Sequence, residues 1–241
     1  MNNFDFETQN NPRLVNPDKA GLNAFFTKVY SYMFMALLVT AVTAYVGIAV
    51  FGAAIYAMMS NLVTILILGA LLMGLASMAA RSATRNPGKA FGLLMAYSVV
   101  MGVFMTSVAM TASLPMIFTA FVTTSAVFGG MALYGVTTKR DMSGMAAMLF
   151  GAVIALIIGS IINLFFFNSI VYMAISVIGV IVFALMTAYD MNRLKKLYFE
   201  VAGSAQGEQG IAVYGALTLY VDFINLFIYI LRLFQIFGGS K

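Results

Sequence analysis

The sequence contains no cysteine and no histidine, and only 9% of its 241 residues are charged. Without cysteine there is no disulfide, no thiol nucleophile and no thiolate metal ligand. Without histidine the chain lacks the side chain that ordinarily titrates near neutral pH, and the commonest metal ligand. Any proton sensing must therefore use carboxylates in unusual surroundings. What fills the chain instead is apolar: 62% of residues are hydrophobic, against about 45–50% in soluble domains. A soluble fold of this length has too little interior to bury that surface, so the composition implies an all-α, multi-spanning membrane protein. The 19 methionines read as flexible apolar filler rather than a metal pathway.

Charge is also missing from long stretches. Val29 to Ala80, Ala90 to Thr138 and Met145 to Tyr189 are uncharged over 52, 49 and 45 residues. A helix needs about 20 apolar residues to cross a hydrocarbon core about 30 Å thick, so each run holds two spans. The expected breaks are Ser60–Asn61, ASLP at 112–115, and Asn163 to Asn168. A seventh span follows a long polar loop, Asp190 to about Ala216. The expected spans are about 29–52, 61–80, 90–111, 116–138, 145–163, 169–189 and 217–237. Residues 1–28 read as a polar cytoplasmic tail without the basic start and small-residue cleavage site of a signal peptide. The uniformly apolar runs are too long for barrel strands. Small residues four apart, Ala70/Gly74 and Ala76/Ala80, suit close helix packing.

The net charge of +5 does not point to nucleic acid, because its sources are spread through short loops. Of 13 basic residues, 11 fall in the tail and the three loops on one side, and none in the three turns on the other. The positive-inside rule then puts the amino terminus in the cytoplasm and the carboxyl terminus outside. The absence of a targeting segment suggests a bacterial plasma membrane.

The last span has the feature that composition alone does not explain. Thr218, Asp222, Asn225, Tyr229 and Arg232 step by four, three, four and three, so they share one helix face. A charge near mid-membrane costs about 2.5–3.5 kcal/mol on insertion scales, so the stripe must face protein or water. Span six echoes it with Tyr172, Ser176, Gly179, Phe183, Thr187 and Asp190. The two spans are antiparallel, which brings both acids into the cytoplasmic third. Two carboxylates in one low-dielectric site cannot both ionise cheaply, and they would titrate as a unit. Against this, Asp190 beside MNRLKK also reads as a solvated loop residue. Thr218, Asn225 and Tyr229 also read as glue between helices. Asp222 fits glue poorly, because acids within a membrane usually mark ion or proton pathways.

The run TAYDMNRLKK, followed after a polar segment by YGALTLYVDFINLFIYILRLF, resembles the Bax inhibitor-1 family. NAFFTKVYSYMFMALLVTAVTAY is similar to that family's first span. The similarity covers nearly the whole chain after residue 20, and the acid-bearing ends of spans six and seven are its specific part. The resemblance implies a central seventh helix wrapped by six others, and a calcium leak gated by two acids. Asp190 matches the acid of the YD motif and Asp222 that of DFINLF. It further implies that Arg81, or alternatively Arg85, pairs with the acids when the path is closed, and that Arg232 matches a basic residue near the outer end of the last helix. In the family that arginine can pair with an acid in span two; here span two has none. The insert VAGSAQGEQG before span seven is long for the family.

Two functions follow. One is a calcium leak or calcium/proton exchanger in which Asp190 and Asp222 bind both ions, since carboxylate oxygens suit calcium. It needs no cofactor beyond the transported ion. The other is a regulatory protein acting on a membrane-bound protease through its tail and the 190–216 loop. An enzyme is not expected: HExxH, GxSxG and the phosphate-binding glycine loop are all absent. A pair of intramembrane acids would also suit an aspartyl protease, but no motif accompanies them.

Overall fold

A computed structural model describes residues 19–238. The remaining tail positions and Lys241 lie outside the described residues. Among the described residues seven α-helices run in chain order: α1 (Lys19–Met59), α2 (Leu62–Ala83), α3 (Pro87–Met110), α4 (Leu114–Thr137), α5 (Ala146–Phe166), α6 (Ser169–Val201) and α7 (Ala205–Gly238). A single 3₁₀ turn, Ser143–Met145, precedes α5. All seven are long and apolar enough to cross a membrane. Their outward faces carry large apolar side chains such as Phe34, Met73, Phe150, Phe165 and Ile170. Water would not tolerate such a surface on a monomer; hydrocarbon does.

The breaks fall where the sequence puts them, and local chemistry explains each. The Asn61 side chain accepts from the Val63 amide to cap α2. Asn86 caps α3 by accepting from Lys89, with Pro87 in the first turn. Asn168 accepts from the Ile170 and Val171 amides at the start of α6. Each satisfies a donor that the first helical turn leaves orphaned. Phe167, left-handed at φ 47°, ends α5.

Two expectations fail at the end of the bundle that carries the basic loops. The first helix begins at Lys19, so residues 19–28 are helical rather than tail. The polar segment 190–216 is no loop: α6 runs on to Val201, and α7 starts at Ala205. NRLKKLYFE combines strong helix formers with buried Leu194 and Tyr198. The reversal takes residues 202–204, helped by Gly203 at φ +93°, a conformation that costs glycine little. Ser204 then caps α7 by accepting from the Gly207 amide at 3.1 Å. At about 50 Å, α6 and α7 are longer than the hydrocarbon is thick. Their extensions are held by packing: Phe25 of α1 lies 4.9 Å from the Tyr198 ring, and Gly210 of α7 meets the Ala83 backbone of α2.

At the centre is α7. In its most apolar stretch 72% of residues are buried, against 11% in α2 and in α5. Helices α1, α2, α3, α4 and α6 pack against it. Helix α5 packs mainly on α6, and its Ser160 faces Tyr229 of α7. A deep polar knot ties three helices together. The Tyr220 and Thr40 hydroxyls lie 2.6 Å apart, and the Thr40 oxygen is within reach of the Ala36 and Ser98 carbonyls. Among the fully buried side chains Tyr220 is the largest, and these contacts supply the partner its hydroxyl needs inside a membrane.

The loop-charge bias makes the topology testable. Single cysteines at Ser82, Ser143 and Ser204 are expected to react with impermeant thiol reagents from the cytoplasmic face only, and one at Ser113 from the opposite face only. Labelling of positions 82 and 113 from the same side contradicts the arrangement.

Candidate functional site

Helix α6 brings Asp190 and α7 brings Asp222 to the same point inside the bundle. Asp190 is 8% and Asp222 3% exposed. Their carboxyl groups are within hydrogen-bonding reach of each other. An ionised carboxylate only accepts, so a hydrogen bond between the two exists when one carries a proton. The second oxygen of Asp222, Oδ2, is buried and has no partner. Native interiors leave few such atoms, and each needs an explanation. Here a buried acceptor with free lone pairs sits where a proton, a cation or a water molecule would find a ligand.

Two other residues of the stripe on α7 are satisfied within the helix. Thr218 donates to the Gly215 carbonyl and Asn225 to the Val221 carbonyl. The Tyr229 ring stacks on Phe183 with centroids 5.8 Å apart. It also lies so close to Gly179 that a Cβ there would stand 2.6 Å from ring carbons. These side chains register α6 on α7. On α6, Ser176, Gly179, Phe183, Thr187 and Asp190 are all buried, so that stripe does face inward.

A second clamp holds Asp190 from the α4 side. Gly135 packs directly on the Ala188 backbone, with no space for a Cβ. Asn192 donates to the Gly135 carbonyl at 3.3 Å and Lys195 to the Val136 carbonyl at 2.8 Å. Both meet carbonyls that the end of α4 leaves unpaired, and the ammonium also suits the negative end of the helix dipole.

The two candidate latch arginines stand apart from the acids in this structure. Among the described residues the ion pair within 4 Å is Lys196 with Asp141. Arg81 and Arg85 are exposed and at ion-pair distance from neither acid. The cation whose charge acts on Asp190 is Arg193, one helical turn away, its guanidinium 5.7 Å from the Tyr214 ring centre. Its position three residues after Asp190 was readable, had the 190–216 stretch been taken as helix. Arg232 stands at the opposite end, 5.3 Å and 5.4 Å from the centres of the Tyr172 and Tyr229 rings.

Asp141 lies outside the spans and is fully exposed. Its hydrogen bond from Lys196, with those from Ser143, holds its carboxyl well below the usual carboxylate range. A depressed folded value means the pair stabilises above the unfolded value, about 3.9, and is lost as pH falls below it. Asp141 therefore keeps its charge from pH 5 to pH 8. Asp141→Asn is expected to leave any pH response in that window unchanged, as measured by flux against pH; a displaced midpoint would implicate this loop.

A family model described as inhibitor of apoptosis-promoting Bax1 matches residues 22–239. The chain belongs to the Bax inhibitor-1 family. The inner membrane protein YbhL of Escherichia coli K12 is 36% identical over 222 residues, covering 90% of this chain and 93% of that protein. An uncharacterised membrane protein of Streptococcus pyogenes serotype M1 is 36% identical over 225 residues, covering 89% and 93%. An uncharacterised protein of Rickettsia prowazekii is also 36% identical, over 220 residues, covering 88% and 89%. The match to the family model spans both acid-bearing helices, α6 and α7, of this Bax inhibitor-1 member.

Proposed function

We propose that this protein is a calcium leak or calcium/proton exchanger in which Asp190 and Asp222 hold the ion or the proton in alternation. The observation that carries the reading is the buried contact between the two carboxyl groups, with Asp222 Oδ2 left unpartnered. When the shared proton leaves, the two acids present four oxygens of net charge −2. That is a site for a hard cation. Calcium takes six to eight oxygens, and among the described residues no cluster of three potential metal-ligating side chains exists. Water and backbone carbonyls would complete the shell, and binding would be weak, as conduction requires. Arg193, one helical turn from Asp190, repels an arriving cation. In this reading Arg81 or Arg85 acts as a latch only in a state where it approaches the acids.

Calcium entry into liposomes containing only the purified protein tests the proposal. Flux above that of protein-free liposomes supports it. Background flux at every pH from 5 to 8 favours instead a regulatory protein that needs a membrane-bound partner such as a protease.

A further inference from the structure

The end of the bundle away from the acids carries an unbalanced charge beside two adjoining cavities. Arg232 opens into a cavity of about 340 Å³. Its other polar lining comes from Gln235, Thr111, Ser107, Ser60 and Tyr172. No acid lines this cavity, and among the described residues none lies within 4 Å of the guanidinium. Gln235 is already fixed, donating to the Thr111 carbonyl and hydroxyl at 3.1 Å and 3.0 Å. Among the described residues Arg232 meets two ring faces, and such stacking leaves the in-plane N–H donors of a guanidinium open to an acceptor.

Val108 and Leu231 form a common wall between this cavity and a second one, of about 540 Å³. The second is a groove between α1, α3, α4 and α7, lined almost wholly by hydrocarbon side chains. Its rim residues Tyr45, Leu114 and Phe118 are 73%, 79% and 69% exposed, so it opens sideways towards lipid. Both volumes fall in the range of ligand sites, about 300–1,000 Å³.

One cavity thus offers a cation with no acid beside it among the described residues, near the end of the last span, and the other an apolar channel running from it towards the middle of the span. We propose that this pair of cavities binds one anionic phospholipid, with its phosphate on Arg232 and an acyl chain in the groove. A guanidinium matches phosphate oxygens in charge and geometry. The site is independent of Asp190 and Asp222, and its occupancy does not depend on ion transport.

Native mass spectrometry of the purified full chain, given equimolar phosphatidylglycerol and phosphatidylcholine, tests this. The wild type is expected to retain phosphatidylglycerol about tenfold over phosphatidylcholine, because the choline ammonium neutralises its own phosphate and repels Arg232, whereas the phosphatidylglycerol phosphate keeps its net charge. Arg232→Gln is expected to lose that preference and Arg232→Lys to keep it. Ala41→Trp, which fills the groove from its rim, is expected to lower retention of both lipids. Equal retention of the two lipids by the wild type overturns the proposal, and so does an undiminished preference in Arg232→Gln. Displacement of the bound lipid by water-soluble glycerol phosphate also overturns it, showing a site for free anions.

Discussion

Asp222→Asn is expected to reduce calcium flux to that of protein-free liposomes and to remove its pH response, while the protein still folds. Asparagine matches the volume of aspartate, and its amide can donate to Asp190 as a protonated carboxyl does. The variant therefore imitates the proton-loaded pair permanently, with one anionic oxygen donor fewer for calcium. Asp190→Asn is expected to behave differently. It keeps the acid with the unpartnered oxygen, so residual flux should titrate as a single group, without the coupling of two interacting sites. Flux against pH for the wild type and both variants, beside their thermal unfolding in detergent, separates the cases. A wild-type profile in Asp222→Asn would reduce the stripe to helix glue.

Gly135→Ala is expected to be strongly destabilising. The added Cβ would stand 2.9 Å from the Ala188 carbonyl carbon and Cα, and those are backbone atoms that no rotamer change can move aside. Overpacking of this kind costs about 1–3 kcal/mol. It also pushes α6 away from α4 two residues before Asp190, disturbing the pair. Gly130→Ala on the same helix is the matched control, because nothing lies within 4 Å of its added Cβ; its effect should stay within about 0.5 kcal/mol. Thermal unfolding of the two variants decides the point. Equal midpoints would show that α4 and α6 do not meet tightly at Gly135.

The spans and their turns were legible because uncharged runs and asparagine caps are local signals. The acid pair was legible because helical spacing puts Asp222 on the line of Thr218 and Asn225, and antiparallel geometry brings Asp190 alongside. The extensions of α6 and α7 were not. Arg193, Lys195 and Lys196 mark an exit from hydrocarbon, and hydropathy says nothing about whether a helix then stops. Leu194 and Tyr198, four apart, are the signal that it continues. The deep Thr40–Tyr220 bond joins residues 180 apart, and no spacing rule announces such a contact. Arg193 was overlooked because the segment holding it was read as loop.

On the proposed mechanism, calcium and a proton compete for the same two carboxylates. Flux through the purified protein in liposomes, measured against pH at two calcium concentrations tenfold apart, tests it most directly. Competition predicts that the midpoint moves to lower pH at the higher calcium, by up to about one unit for a single displaced proton. A midpoint that stays in place while calcium changes would contradict a shared site, and would put the proton and the ion at different places in the protein.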